Sequence, residues 1–181
     1  MTRSAGPADA GVIAQTVAEA FDGYRDWAPA GWAPPESSVG EPGRAALAAA
    51  LGRPGVWCLL AFDDRMPAGH VALSPFTFVQ PEAAPPGSVN LWQLFVRPPW
   101  QGSGLASALL DAAVAEAVER GNARMRLWTP RGAGRARRFY EREGWTTTGD
   151  VRDDSPLGLP VVEYERRLGP SGVGQPLPAR D

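Results

Sequence analysis

The stretch from residue 91 to residue 106 constrains the fold more than any other part of the chain. It reads as an apolar strand, a proline-rich turn, the segment Gln-Gly-Ser-Gly at 101–104 and the start of an Ala/Leu-rich helix. The first backbone N–H groups of a helix lack partners within the helix, and the helix dipole adds partial positive charge there. Glycines at 102 and 104 remove the side chains that would keep an anion away. The segment is therefore typical of a phosphate-binding turn.

Three classes of phosphate ligand can be compared with this turn. A P-loop requires a lysine after its second glycine, and the chain contains no lysine. A dinucleotide-binding fingerprint requires glycine or alanine at its third conserved position, which Ser107 occupies here. The pyrophosphate of coenzyme A is the third ligand. On the turn alone, an ordinary glycine-capped connection or a protein that binds another nucleotide remains an alternative.

Two motifs in order make a family resemblance specific. The first resembles the acyl-CoA-binding signature of the GNAT N-acetyltransferase superfamily, with residues Val96, Pro98, Gln101, Gly102, Gly104, Leu105, Ala106, Leu109 and Leu110 at its positions. The segment 135–145, which contains Phe139-Tyr140 and Gly144-Trp145, resembles the second signature of the same family at the right distance. The resemblance covers about residues 8–168.

The resemblance implies an α/β (α+β) fold in one domain over residues 1–168. Its central sheet would be mixed and mostly antiparallel, flanked by helices, with a splayed strand pair for the cofactor. The periodicity predicts helices at 9–21, 43–51, 135–143 and from 105 to a C′ glycine at 121. It predicts strands at 56–62, 69–76, 89–96, 123–129, 145–151 and 161–168. Residues 1–8 read as a poor strand or a frayed end, and the Gly/Pro-rich tail at 169–181 is predicted to be disordered.

The resemblance also implies acetyl-CoA as co-substrate and assigns residues to it. Backbone groups at Leu94, Phe95 and Val96 would pair with the pantetheine arm, and Arg138 would meet a phosphate. The turn would contribute Gln101, Gly102, Ser103, Gly104, Leu105 and Ala106. Pro99 and Ala133 depart from the family pattern, since these positions usually carry a polar side chain that contacts the cofactor.

Tyr140 is the candidate catalytic residue. It matches the tyrosine of the second signature, which in many family members gives a proton to the departing CoA thiolate. A phenol with a pKa of about 10 is protonated at neutral pH. The alternative is that Phe139 and Tyr140 are both core aromatics. The sequence does not identify the general base. Residues 90–93 carry no carboxylate, although the family often has a glutamate there, and His70 reads as a partly exposed strand residue.

The acceptor amine is predicted to lie against residues 22–42 and the proline-rich loop at 80–88. Tyr24, Trp27, Trp32 and Trp92 are the candidate walls of an acceptor pocket, and Asp22, Asp26 and Glu36 are candidate partners for its ammonium group. A plain aromatic packing cluster under a long loop explains the same residues.

Composition limits the remaining functions. The net charge of −2 gives no reason to expect nucleic-acid binding, although the segment 97–144 holds nine arginines and five acidic residues, which suits a ligand with several phosphates.

One cysteine and one histidine exclude a disulfide framework, a thiolate zinc cluster and a multi-histidine metal site. Cys58 lies in an apolar run and is predicted to be a buried structural thiol. No apolar run is long enough to span a membrane, and no signal peptide is evident, so a cytoplasmic location is expected.

The sequence therefore predicts an acetyl-CoA-dependent N-acyltransferase that acts directly on a primary amine of a small molecule or a peptide, without a metal. The alternative is a non-catalytic acyl-CoA-binding sensor or pseudoenzyme, which the missing strand glutamate and the lost loop asparagine suggest. Homodimers are common in the family, but no feature of this sequence requires one.

Overall fold

The computed structural model describes residues 1–36, 40–76, 85–154 and 157–169. The helices are α1 (Ala10–Asp22), α2 (Gly40–Leu51), α3 (Leu105–Glu119) and α4 (Gly134–Arg142). The strands are β1 (Thr2–Ser4), β2 (Trp57–Asp63), β3 (Met66–Pro75), β4 (Ser88–Val96), β5 (Arg124–Pro130), β6 (Thr146–Asp154) and β7 (Leu159–Arg167).

All seven strands form one mixed sheet in the order β1-β2-β3-β4-β5-β7-β6. Only β4 and β5 run parallel, and the other neighbours are antiparallel. Parallel neighbours need a crossover connection, and here the crossover is the phosphate-binding turn followed by α3. The expectation of one mixed, mostly antiparallel sheet with flanking helices is confirmed.

The pairing of β4 with β5 breaks after three residues. Ser88, Val89 and Asn90 face residues 124–126, and beyond them the two strands share no ladder. On its other edge β4 stays paired with β3, but the register shifts so that Trp92 becomes an extra residue between the partners of Leu73 and Ala72. Such a bulge bends a strand and increases its twist. The splayed pair is therefore present, with the bulge at the point of separation.

Two apolar clusters cover the two faces of the sheet. One packs α3 and α4 against β3, β4, β5 and β7, with Leu110, Met125 and Tyr164 fully buried. The other packs α1 and α2 against β2 and β3, with Ile13 and Leu60 at its centre. Burial of each large aliphatic side chain contributes about 1.5–3 kcal/mol. Cys58 is buried in the second cluster, as predicted, and burial raises the pKa of its thiol.

An ion pair ties α1 to the end of β4. The Arg97 guanidinium pairs with the Glu19 carboxylate through Nε at 2.6 Å and through Nη2, and its Nη1 donates to the Pro67 carbonyl at 3.0 Å. The side chains of Arg97 and Glu19 are 13% and 29% exposed, so solvent screens the pair only partly. The hydrogen bond from Arg97 lowers the pKa of Glu19. The pair fixes the helix next to the residue at which the phosphate-binding turn begins.

The element boundaries differ from the predicted ones at several places. The first residues are not frayed, because Thr2–Ser4 pairs with β2. Helix α2 begins at Gly40 rather than 43, since proline is tolerated in a first helical turn and Pro42 does not end the helix. Asp9 precedes α1 but makes no side-chain cap; its carboxylate accepts from the Gly6 N–H and pairs with Arg3. Most of the loop at 80–88 and nearly all of the tail at 169–181 lie outside the described residues.

Gly69 on β3 permits the close approach of β4, and its replacement tests that packing. A Cβ at this position would lie 2.6 Å from the Phe95 carbonyl oxygen and 3.2 Å from the Val96 Cα, both of which are backbone atoms. We expect Gly69→Ala to lower the free energy of unfolding by about 1–3 kcal/mol, measured by urea denaturation. Gly6→Ala is the matched control, because a Cβ there meets nothing within 4 Å and its φ of −138° is extended. An equal loss in both variants would contradict the packing argument.

Candidate active site

A cleft of about 930 Å³ opens where β4 and β5 separate. Its walls come from β4, the phosphate-binding turn, β5, α4 and the segment that follows α1. The turn and α4 line one part of the cleft, and the segment after α1 lines another. The sequence-predicted residues that line the cleft are Tyr24, Trp27, Trp92, Leu94, Phe95, Val96, Gln101, Gly102, Gly104, Ala106, Arg138 and Tyr140.

The turn offers backbone donors without partners. Gly102 and Gly104 adopt φ values of +83° and +87°, which favour glycine, and a Cβ at either would point into open space. Within the described residues, the N–H groups of Gly102, Gly104, Ala106 and Ser107 donate to no protein group. Four free donors at the start of a 15-residue helix suit the pyrophosphate of coenzyme A.

Two turn residues have structural contacts instead of lining the cleft. The Ser103 hydroxyl donates to the Trp100 carbonyl at 2.7 Å and accepts a long hydrogen bond from the Leu105 N–H. Leu105 packs against the cluster that contains α3 and α4. Both residues therefore stabilise the conformation of the turn through contacts within the protein.

The positive charge beside the turn comes from α4. Arg135, Arg138 and Arg142 line the cleft there. Arg135 donates from Nη1 to Gln101 Oε1 at 2.8 Å, and Gln101 Nε2 donates to the Val96 carbonyl at 3.2 Å. This bridge from α4 through the turn to the end of β4 was not predicted, because its partners are 34 residues apart and only the fold brings them together.

The exposed edge of β4 faces the cleft at Leu94, Phe95 and Val96. Because β4 and β5 share no ladder beyond Asn90, the backbone of these residues is unpaired on the side of β5. Sheet edges of this kind accept an extended chain with amide groups. The edge therefore suits the amides of a pantetheine arm.

Tyr140 belongs both to the core and to the cleft. Its ring lies 5.8 Å from Trp145 and 5.3 Å from Phe139 between ring centroids, in edge-to-face geometry, and the residue is 9% exposed. It also lines the cleft. Burial raises the pKa of its phenol above the usual range, and the nearby Tyr24 phenol raises it further. The phenol is thus protonated throughout the neutral range.

His70 is fully buried, so the expectation of a partly exposed strand residue was wrong. Residues 68–74 of β3 are all buried, because a central strand is covered on both faces. The His70 Nε2 donates to Gln93 Oε1 at 3.0 Å, and burial lowers the pKa of the imidazole to about 4. Gln93 lines the cleft, whereas His70 does not. His70 therefore positions Gln93 and remains neutral at neutral pH.

The segment after α1 contributes Tyr24, Asp26 and Trp27 to the lining of the cleft. The Trp27 indole packs against the loop before α4, where a Cβ on Gly132 would lie 2.6 Å from Trp27 Cε3. Trp32 does not line the cleft. It stacks on Tyr24 with 5.5 Å between centroids, and its Nε1 donates to the Leu157 carbonyl at 2.9 Å.

The two other acidic candidates lie elsewhere. Asp22 pairs with Arg25 at the protein surface, where its side chain is 72% exposed. Glu36 is exposed and, like Asp22, is not among the residues that line the cleft. Of the three acidic candidates, only Asp26 reaches the cleft.

Trp128 of β5 is a cleft residue that sequence reasoning missed. The strand itself was predicted, and alternation along it places Trp128 opposite the core residue Leu127. That alternation was the signal that could have indicated it. The Arg152 guanidinium lies 4.1 Å from the centre of the Trp128 ring and is not a cleft residue, so it supports the indole from outside.

In the part of the chain that the structure describes, no three His, Cys, Asp or Glu side chains come together as a metal site. No helix among the described residues is long and apolar enough to cross a membrane.

A sequence model of the acetyltransferase (GNAT) family matches residues 18–145. No curated protein sequence matches the chain. Solved structures with the same fold include the PaiA N-acetyltransferase from Thermoplasma acidophilum in complex with coenzyme A, at 16% identity and a TM-score of 0.69, covering 92% of this chain and 98% of that one.

Two further structures are similar to the chain. The ribosomal-protein-alanine N-acetyltransferase from Brucella melitensis is 20% identical, with a TM-score of 0.70 over 93% of this chain and 99% of that chain. YncA from Salmonella typhimurium, solved with its cofactor acetyl-CoA, is 18% identical, with a TM-score of 0.67 over 99% of this chain and 98% of that chain. At these identities the similarity shows the fold alone.

The free donors of the turn give a first prediction for the site. We expect Gly104→Ala to raise the Kd for acetyl-CoA by about tenfold or more, because a methyl group would occupy the approach of the anion and φ = +87° strains alanine. Gly121→Ala is the matched control. Gly121 follows the other end of α3, with φ = +76° and the same open surroundings, so its replacement carries a similar strain of about 1–2 kcal/mol. Calorimetric titration should show weaker binding in the first variant only; equal binding in both would contradict the role of the turn.

The buried histidine gives a second prediction. Its pKa of about 4 lies below the unfolded value of 6.5, so only the unfolded chain takes up this proton as the pH falls from 6.5. We expect the stability of the wild type, relative to His70→Gln, to fall by about 1 kcal/mol per pH unit between pH 6.5 and 5, because the unfolded histidine is only half protonated at pH 6.5. Urea denaturation across this range measures it, and since the chain has one histidine, parallel curves would contradict the burial of a neutral imidazole.

Proposed function

Because the chain belongs to the GNAT acetyltransferase family, whose enzymes transfer the acetyl group of acetyl-CoA, we propose that it acetylates a primary amine of a small molecule or a peptide. The observation that carries the proposal is that three features line one cleft between β4 and β5. They are the turn with its free N–H groups, the aromatic residues of the segment after α1, and Tyr140.

Cofactor binding is assigned to the turn, α4 and the edge of β4. The N–H groups of residues 102, 104, 106 and 107 and the guanidinium of Arg138 would hold the phosphates. The backbone of Leu94, Phe95 and Val96 would pair with the pantetheine amides. Bound acetyl-CoA would supply the acetyl group as a thioester, whose C–S bond breaks as the C–N bond to the amine forms.

Tyr140 is assigned the role of general acid. The amine reaches the cleft as an ammonium ion, loses one proton to solvent before attack and loses a second as the amide forms. Tyr140 gives its phenolic proton to the leaving sulfur and regains a proton from the nitrogen, so protons balance over the cycle. The raised pKa of the phenol supports this assignment, because Tyr140 holds its proton at every pH where the amine is reactive.

Gln93 is assigned a positioning role in place of the glutamate that is absent from β4. The amide cannot take up a proton, but it is fixed by His70 and lines the cleft beside the bulge at Trp92. It would orient the incoming amine or a water molecule that carries its proton away. The only carboxylate among the described residues of the cleft is Asp26.

Release of CoA thiol from acetyl-CoA with a panel of amines tests the proposal. Turnover with any class of amine supports the proposal that the protein is an N-acetyltransferase. Binding of acetyl-CoA in calorimetry without turnover for any amine would instead favour the alternative, a non-catalytic acyl-CoA sensor. The cytoplasmic location, the homodimer and the domain boundary at residue 168 stay predictions.

Replacement of Tyr140 by phenylalanine tests the proton donor. We expect kcat to fall by about a hundredfold to ten-thousandfold, with the KM for acetyl-CoA little changed, because the ring and its packing remain. Tyr164→Phe is the control. Tyr164 is fully buried, donates to Glu141 at 2.8 Å and does not line the cleft, so this variant should keep its kcat per folded molecule. Unchanged turnover in Tyr140→Phe would remove the catalytic role.

A further inference from the structure

We propose that the acceptor is a primary arylalkylamine, in which a flat aromatic ring is joined through a short alkyl chain to a single ammonium group. This inference rests on the proposed function and names its substrate class. It comes from five residues that line the cleft between β4 and β5: Tyr24, Asp26, Trp27, Trp92 and Trp128.

Four of these five residues are aromatic, and packing contacts hold their rings in place. Tyr24 and Trp27 lie 4.6 Å apart between ring centroids. Behind Tyr24, Trp32 stacks at 5.5 Å and Phe21 meets it edge-on at 5.1 Å. Walls that are already packed lose little conformational freedom when a ligand ring enters, so a flat, apolar group binds there at low entropic cost.

The three tryptophans among these residues are held in place by further contacts. Trp27 is held against Gly132, which would clash with it if it carried a Cβ. Trp128 is covered on its outer side by the Arg152 guanidinium at 4.1 Å. Trp92 occupies the bulge of β4 and packs with the cluster of α1 and α2. These aromatic residues come from three different segments that line the cleft, and together they are the slot that we assign to the ring of the acceptor.

The charges along the cleft set the number of ammonium groups. Among the described residues that line it, Asp26 is the only carboxylate, and Arg135, Arg138 and Arg142 are the cations. One ammonium group can pair with Asp26 and lie against the Tyr and Trp faces. A second ammonium group would find no carboxylate among these residues. Polyamines and aminoglycosides therefore fit poorly, whereas a monoamine with an aromatic body fits.

The first experiment compares three amines in the CoA-release assay. 2-Phenylethylamine carries one charge and a ring, 2-cyclohexylethylamine carries the same charge without aromaticity, and spermidine carries several charges. We expect kcat/KM for 2-phenylethylamine to exceed the value for each of the other two by about tenfold or more. A preference for spermidine would overturn the substrate class while leaving the proposed acetyl transfer intact.

A matched pair of variants tests the carboxylate. We expect Asp26→Asn to raise the KM for 2-phenylethylamine by about tenfold, since the ammonium loses its ionic partner. Asp22→Asn is the control, because Asp22 lies four residues earlier, is exposed and pairs with Arg25 outside the cleft. Equal effects in the two variants would overturn the assignment of Asp26.

A binding measurement separates this inference from the proposed function. Quenching of tryptophan fluorescence by 2-phenylethylamine, recorded in the presence of CoA, does not depend on turnover. Binding that Asp26→Asn weakens, without CoA release from acetyl-CoA, would uphold the arylalkylamine slot and overturn the transfer reaction. Turnover of another amine, with neither binding nor turnover of 2-phenylethylamine, would overturn the slot and uphold the transfer.

Discussion

The site depends on one interruption in the sheet, the end of the β4–β5 ladder after Asn90 and Arg126. Backbone N–H and C=O groups that lose a partner must find another, either water or a ligand. Here each strand keeps its other partner, because β4 remains paired with β3 on either side of the bulge at Trp92, and β5 remains paired with β7. The gap is therefore an opening between two hydrogen-bonded half-sheets, and the groups along its unpaired edge belong to the backbone and do not depend on particular side chains.

Contacts on both faces of the sheet fix the width of this gap. On one face, the Ser107 hydroxyl at the start of α3 donates to Glu143 Oε1 at 2.6 Å, and Arg135 of α4 donates to Gln101. These bonds join the two helices that lie on either side of the opening. On the other face, Trp27 rests on Gly132 and connects the segment after α1 with the loop after β5. These contacts link the turn, α4 and the segment after α1 to one another across the opening.

The parts of this structure that could be predicted are those whose determinants lie close together in the sequence. The turn, α3 and the Phe139-Tyr140 pair follow from local spacing, and the structure places the turn and Tyr140 on one cleft. The parts that could not be predicted depend on tertiary neighbours. The burial of His70 follows from the central place of β3 in the sheet, and the bond from Arg135 to Gln101 crosses 34 residues. Trp32, which local composition grouped with Trp27, is turned away by its bond to Leu157.

Tyr140 can be a packed core residue and, as proposed, a proton donor at the same time, because its packing keeps the phenol protonated. Packing against Phe139 and Trp145 removes water from the phenol, and that desolvation raises its pKa. A thiolate that departs into the same dry region is destabilised for the same reason, so its own pKa rises as well. The proton transfer from oxygen to sulfur therefore need not become unfavourable as the phenol becomes a weaker acid. Burial therefore keeps the proton on the Tyr140 phenol, as the proposed role of a general acid requires.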